Sequence, residues 1–198
     1  NPANDWENMR RFFSSLSKTG IRGIKIDFMD SASQERLDFY DAVAENLAKN
    51  KLMVNFHGAN TPTGEERSWP HEMSREGIYG GEQNIWAAIG GQHYCALPFT
   101  RLVSGHADFT GGYFGHGPKL RGSSWTLQMA ANIIYTSPIL HWVSNPADME
   151  AAFPKDSPER EVVRNIPSVW EETIVLPPSA IGECAAFARR SGNQWYIA

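Results

Sequence analysis

The sequence lacks most of the signals that mark common chemistries. Only two of its 198 residues are cysteine, Cys95 and Cys184. They lie far apart, so one disulfide and two free thiols are both open, and no CxxC pair offers a zinc or redox site. None of the six histidines pair at the i, i+4 spacing of an HExxH zinc helix. There is no GxSxG elbow, P-loop or GxGxxG segment. An excess of base is also missing: 18 Lys and Arg stand against 22 Asp and Glu, a net charge of −4. That excludes a nucleic-acid binder driven by bulk positive charge. No apolar run approaches the roughly 18 residues of a membrane span. The first residue is Asn, and the start has neither the basic nor the apolar region of a signal peptide.

What is present describes a folded chain. Apolar residues make up 41% and charged residues 20%, which excludes a disordered polymer. Seven Trp contribute to 12% aromatics. That content fits a site that stacks flat ligands, and a well-packed core equally.

Periodicity predicts a helix over 5–18, with Trp6, Met9, Phe12, Phe13 and Leu16 at helical spacing and Asp5 as cap. Residues 24–28 alternate as a strand, and a second helix spans 34–49, capped by Ser33. A second strand follows at 52–56. Helix–strand–helix–strand at this spacing implies parallel strands with crossover helices. Each strand has an apolar face (Ile24, Ile26, Phe28; Leu52, Val54, Phe56). The opposite face is polar towards its C-terminal end, with Lys25 and Asp27, then Asn55 and His57. A (β/α)8 barrel produces this pattern, because one strand face packs under the helices and the site sits at the C-terminal ends. A flavodoxin-like open sheet also places sites there.

Residues 57–122 are rich in Gly, His and aromatics and mostly aperiodic, apart from a helix near 97–104. Loops of that length are usually functional. Helices are expected over 123–136, 146–153 and 158–165, and a buried strand over 138–143. The texture then changes to short antiparallel strands at 172–176, 184–188 and 194–197, with Gly192-Asn193 as a turn. A full barrel needs about 250 residues. The expected fold is therefore α/β: a partial (β/α)8 TIM barrel over 1–168, then the first strands of an all-β domain over 169–198. The ending on a strand suggests a piece of a longer protein.

Three carboxylates could carry chemistry. Asp27 shares a strand face with Lys25, and a neighbouring cation favours a carboxylate's charged form. That suits a nucleophile or metal ligand, and an ion pair filling a barrel end equally. Asp30 reads as a loop or cap residue. Glu76 and Glu82 flank a glycine-rich segment and, if extended, share a face. Such a pair can chelate Ca²⁺, supply a general acid, or be solvated loop glutamates. His57 follows a strand at the candidate active end and could touch substrate. Gly115-His116-Gly117 reads as loop flexibility.

Taken in order, Gly23-Ile-Lys-Ile-Asp-Phe-Met-Asp30, Val54-Asn-Phe-His-Gly-Ala59, Pro62-Thr-Gly64, Arg75-Glu-Gly77, Glu82-Gln-Asn84, Leu97-Pro-Phe-Thr-Arg101 and Ala188-Arg-Arg-Ser-Gly192 resemble glycoside hydrolase family 97. The resemblance implies a β-sandwich, a catalytic barrel and a C-terminal β domain in the whole protein, with the first of these outside this chain. Retaining members, typified by α-galactosidases, carry their nucleophile in the KxDFMD segment, here Asp27, and their acid/base at the position of Glu82. Inverting members, typified by α-glucosidases, lack that Asp and carry a base Glu after the histidine, where this chain has Gly58. Both markers imply the retaining group. The resemblance also implies Ca²⁺ held near the substrate, with Glu76 and Glu82 as metal ligands. Lys25 and His57 become substrate-binding residues, the substrate an oligosaccharide or small glycoside, and the location an exported one, typically the bacterial periplasm. Rival readings are an inverting α-glucosidase, a non-catalytic carbohydrate-binding fragment, and a metal site for proton abstraction built on Asp27, Glu76 and Glu82.

Overall fold

Helix α1 (Pro2–Lys18) exists because Trp6, Met9, Phe13 and Leu16 form one apolar stripe, which joins the core. The computed structural model describes residues 2–112, 114 and 120–198, and side chains from residue 5 onward. Gly115-His116-Gly117 lies outside the described residues. Asp5 does not cap α1 as expected. The helix starts at Pro2, so Asp5 sits in its first turn, where the helix dipole still favours an acid.

The chain divides into two units, Asn1–Gly77 and Ile78–Ala198. In the first, strand β1 (Gly23–Ile26), helix α2 (Gln34–Lys49) and strand β2 (Met53–Phe56) make a parallel βαβ crossover. Ser33 caps α2 by accepting from the Arg36 amide. The short helix α3 (Glu65–Ser68) leads to strand β3 (Glu72–Arg75), parallel to β2. The sheet order is β1-β2-β3. Under it, Phe13, Met29, Tyr40, Val43, Leu47, Leu52, Val54 and Phe56 form one buried cluster. Each large apolar side chain fully buried there is worth about 1.5–3 kcal/mol.

The other face of the sheet is a polar row. The register places Lys25 beside Asn55, and Asn55 beside Ser74. Asn55 and Ser74 are buried, and no hydrogen-bond partner for the Ser74 hydroxyl occurs among the described residues. A register shift between Val54 and Asn55 marks an irregularity next to this row. The expected apolar face of the first strand is two residues long, not three. Strand β1 ends at Ile26, the backbone turns left-handed at Phe28 (φ 65°), and that ring is 79% exposed.

In the second unit, α4 (Gly91–Ala96) runs into two short 3₁₀ turns, Leu97–Phe99 and Arg101–Val103, in place of the expected helix over 97–104. Helices α5 (Trp125–Ile134), α6 (Pro146–Ala152) and α7 (Pro158–Asn165) are capped by Ser124, Asn145 and Ser157, the last two followed by Pro at the first turn. Residues 138–143 are not a strand. Pro138 has no amide to donate, and one bridge, Gly111 to Trp142, is the segment's β pairing among the described residues. Strands β4 (Glu172–Val175), β5 (Phe187–Ser191) and β6 (Gln194–Ile197) form an antiparallel sheet in that order. Gly192, at φ 58°, makes the β5–β6 turn. Arg189 anchors the sheet: its buried guanidinium donates to the carbonyls of Ile133 (2.8 Å) and Ile134 (3.3 Å) and so satisfies the C-terminal end of α5. Burial pulls that guanidinium down to about 10. Cys95 and Cys184 are free thiols. No helix among the described residues is long and apolar enough to cross a membrane.

Candidate active site

Asp27 lies one residue past the end of β1, at the strand's C-terminal end, and is exposed. Its Oδ1 accepts from the amide of Phe28 at 2.6 Å. The turn that follows has two non-glycine residues in the left-handed region, Phe28 (φ 65°) and Asp30 (φ 47°). Each costs of order 1–3 kcal/mol, and such strain persists only where the surroundings over-determine it. Here the surroundings are the end of β2. The amide of Asp30 donates to the carbonyl of Gly58 at 2.9 Å, and Met29 is buried in the core. Asp30 is thus the loop residue that its spacing suggests.

His57 and Gly58 follow β2 directly. His57 is buried, with Nε2 3.4 Å from Oε1 of Glu76. Glu76 follows β3 directly and is also buried. Its Oε2 accepts from the Gly58 amide at 2.5 Å. The C-terminal ends of the three parallel strands therefore gather Asp27, His57, Gly58 and Glu76. Lys25 stands on the same sheet, exposed, in the polar row described above.

Glu82 belongs to the second unit, so it and Glu76 do not share a strand face. Gly77 turns left-handed (φ 42°), and Gly81–Ile85 is a 3₁₀ helix with Glu82 in its first turn. That turn lies against residues 109–111. The Gly81 amide donates to the Phe109 carbonyl at 2.6 Å, and a β-carbon on Gly80 or Gly81 would meet the carbonyl of Phe109 or Thr110 at 2.6 or 2.7 Å. Buried Asn84 accepts from the Ile89 amide, and the carbonyls of Asn84 and Ile85 accept from Arg121. Glu82 is half-buried on this clamped turn.

Three other histidines are engaged elsewhere. His71 donates to the Ala44 carbonyl and His93 to the Tyr79 carbonyl, both at 2.8 Å. His141 Nδ1 lies 3.0 Å from the buried carboxylate of Asp108. Sequence reasoning missed that pair. It also missed the support beneath Glu76: Arg75, 1% exposed, grips both oxygens of Glu72 (2.7 and 2.9 Å), reaches Glu65 and Asn60, and stacks over the Tyr40 ring. Charge at both ends of a four-residue strand hides this network from a hydropathy reading. Burial raises the Glu72 carboxyl, and Arg75 opposes the shift.

Comparison with known proteins fits this geometry. The sequence model described as Glycoside hydrolase 97 matches residues 3–78, and that described as Glycosyl-hydrolase 97 C-terminal, oligomerisation matches 169–198. The chain belongs to glycoside hydrolase family 97. A protein described as a probable retaining alpha-galactosidase from Streptomyces bingchenggensis is 36% identical over 191 residues, covering 96% of this chain and 29% of that protein. The retaining alpha-galactosidase of Bacteroides thetaiotaomicron is 31% identical, covering 98% and 30%. The chain thus spans about three-tenths of the length of these relatives. Among solved structures, a beta-arabinopyranosidase superposes with a TM-score of 0.81 at 26% identity, covering 96% of this chain and 31% of its own. A family 97 enzyme from Pseudoalteromonas sp. strain K8 in complex with acarbose superposes at 0.83, covering 96% and 33%. At 23% identity it supports the fold alone.

Proposed function

We propose that the whole protein is a retaining exo-α-glycosidase acting on α-galactosides. In this reading residues 1–168 form part of a (β/α)8 barrel and residues 169–198 begin an all-β C-terminal domain. The observation that carries it is the pairing of Asp27, just past β1, with Gly58, just past β2. A carboxylate stands where retaining relatives keep a nucleophile, and no side chain stands where inverting ones keep a base. The two α-galactosidase relatives support the same choice.

The reaction is a double displacement. Asp27 attacks the anomeric carbon as the bond to the departing oxygen breaks, and Glu82 gives that oxygen its proton. Glu82, now a base, takes a proton from water, which cleaves the glycosyl ester and frees Asp27. Lys25 binds a sugar hydroxyl, and His57, held against Glu76, shapes the same end of the sheet. The donor set fits a hard cation: Glu76 presents a buried carboxylate beside His57, and carboxylate oxygen suits Ca²⁺. Glu76, with Glu82 as its counterpart by family resemblance, would hold Ca²⁺, which when bound supplies positive charge that polarises or orients the substrate. An exported, periplasmic location follows from the same resemblance.

Proton NMR of the first sugar released from an aryl α-galactoside tests the reading. The α-anomer should appear before mutarotation, and initial release of the β-anomer would overturn it. The arabinopyranosidase neighbour favours one second substrate class. A β-L-arabinopyranoside presents the same ring hydroxyls and leaving-group direction as an α-D-galactopyranoside, without the hydroxymethyl group. Turnover of the arabinoside in preference to the galactoside would select that reading.

A further inference from the structure

We propose that Gly58 is a positioning residue for Asp27, so that the backbone at 58 sets the nucleophile's aim; this rests on the reading of Asp27 as nucleophile. Gly58 is left-handed (φ 58°), a conformation that a side chain disfavours. The space that its β-carbon would fill is bounded by the Asp27 turn: Phe28 N at 3.0 Å, Asp27 Oδ1 at 3.2 Å and Met29 N at 3.2 Å. The Gly58 carbonyl accepts from the Asp30 amide at 2.9 Å, and its amide donates to Glu76 Oε2 at 2.5 Å. One residue therefore leaves open the space beside the nucleophile's oxygen, pins the far end of its strained turn, and ties that turn to Glu76. An L side chain at 58 is strained by the left-handed backbone, and its β-carbon fits only if Phe28 N, Asp27 Oδ1 or Met29 N gives by a few tenths of an ångström. The glycine is then more than the absence of an inverting enzyme's base, because a side chain at 58 crowds this Asp27 turn.

The test is a double-mutant cycle in the full-length enzyme, with an activated aryl α-galactoside and external azide. In Asp27→Gly, azide takes the vacated place, bonds to the anomeric carbon from the β face, and the aryl oxygen leaves with the bonding pair as phenolate. Gly58→Ala alone should lower kcat by about 10²-fold, as expected for a misplaced reacting group, with KM little changed. In the Asp27→Gly background the same substitution should leave the azide-dependent rate unaltered, because no carboxylate remains to be misplaced. Wild-type kcat in Gly58→Ala would overturn the assignment, and so would an equal loss of the azide-dependent rate, which would show that Gly58 acts through Glu76 or the substrate. If Gly58→Ala fails to fold, the α-hydroxy analogue of aspartate incorporated at 30 turns the 29–30 amide into an ester, which removes the N–H given to Gly58 and keeps the left-handed backbone that proline could not adopt. It should show the same loss and the same immunity, and a full rate in that ester variant would overturn the assignment. Undiminished azide-free turnover in Asp27→Gly would instead remove Asp27 as nucleophile, and the reading of the whole reaction with it.

Discussion

Glu82 is the residue whose role separates proton donation from metal binding. Its turn is fixed by two glycines against residues 109–111 and by Arg121 on the carbonyls of Asn84 and Ile85. A Gln at 82 keeps that backbone and the size of the side chain, and loses the transferable proton and the carboxylate charge. In the full-length enzyme, Glu82→Gln should slow substrates with poor leaving groups by roughly 10²–10⁴-fold. Aryl glycosides with an acidic phenol should lose far less in the glycosylation step, because their oxygen departs without a proton. Steady-state rates across a series of leaving groups check this. An equal loss throughout would make Glu82 chiefly a metal ligand.

At the scale of elements, strand β3 shows what a sequence reading reaches and where it stops. Strands β1 and β2 and helices α1 and α2 were legible because their apolar residues repeat at 2 or 3.6. So were Asp27 and His57 at strand ends. Glu72-Met-Ser-Arg75 has no such period, since its charges are neutralised inside the fold by a fork between Arg75 and Glu72. Tertiary pairing with β2 overrides its weak strand preference. The expected strand over 138–143 failed in the opposite way: its apolar run is half-buried packing, not a ladder. Nor could spacing show that Gly77 would break the extended path from Glu76 to Glu82. The β3 network makes its own prediction. Arg75→Met leaves Glu72 buried without its cation, which should cost about 3–5 kcal/mol at neutral pH. Without Arg75, burial raises the Glu72 carboxyl further, so the folded state binds a proton more readily than the unfolded one. The loss should therefore shrink as the pH falls through that raised value and be largest at neutral pH. Hydrogen exchange of the β1–β3 amides at both pH values measures it. A loss independent of pH would mean that Glu72 is not the group left uncompensated.

At the scale of the whole molecule, the proposed Ca²⁺ would link metal to stability. Glu76 is held by the Gly58 amide and lies beside His57, so its carboxylate is preorganised without an ion. A cation that binds the folded state alone stabilises it by about 2.7 kcal/mol at 100 times its Kd. Ca²⁺ should raise the melting temperature of the full-length protein, and Glu76→Gln should abolish the rise while leaving the fold intact, since the neutral amide still fills the space. Chelation should lower turnover, and added Ca²⁺ should restore it. The two readouts separate the roles of the ion. A rise in melting temperature with unchanged turnover after complete metal removal would make Ca²⁺ structural, with Glu76 a fold residue. Loss of both together would place it with the chemistry. No response in either would remove calcium from the account and leave Glu76 as the acceptor that holds Gly58 under Asp27.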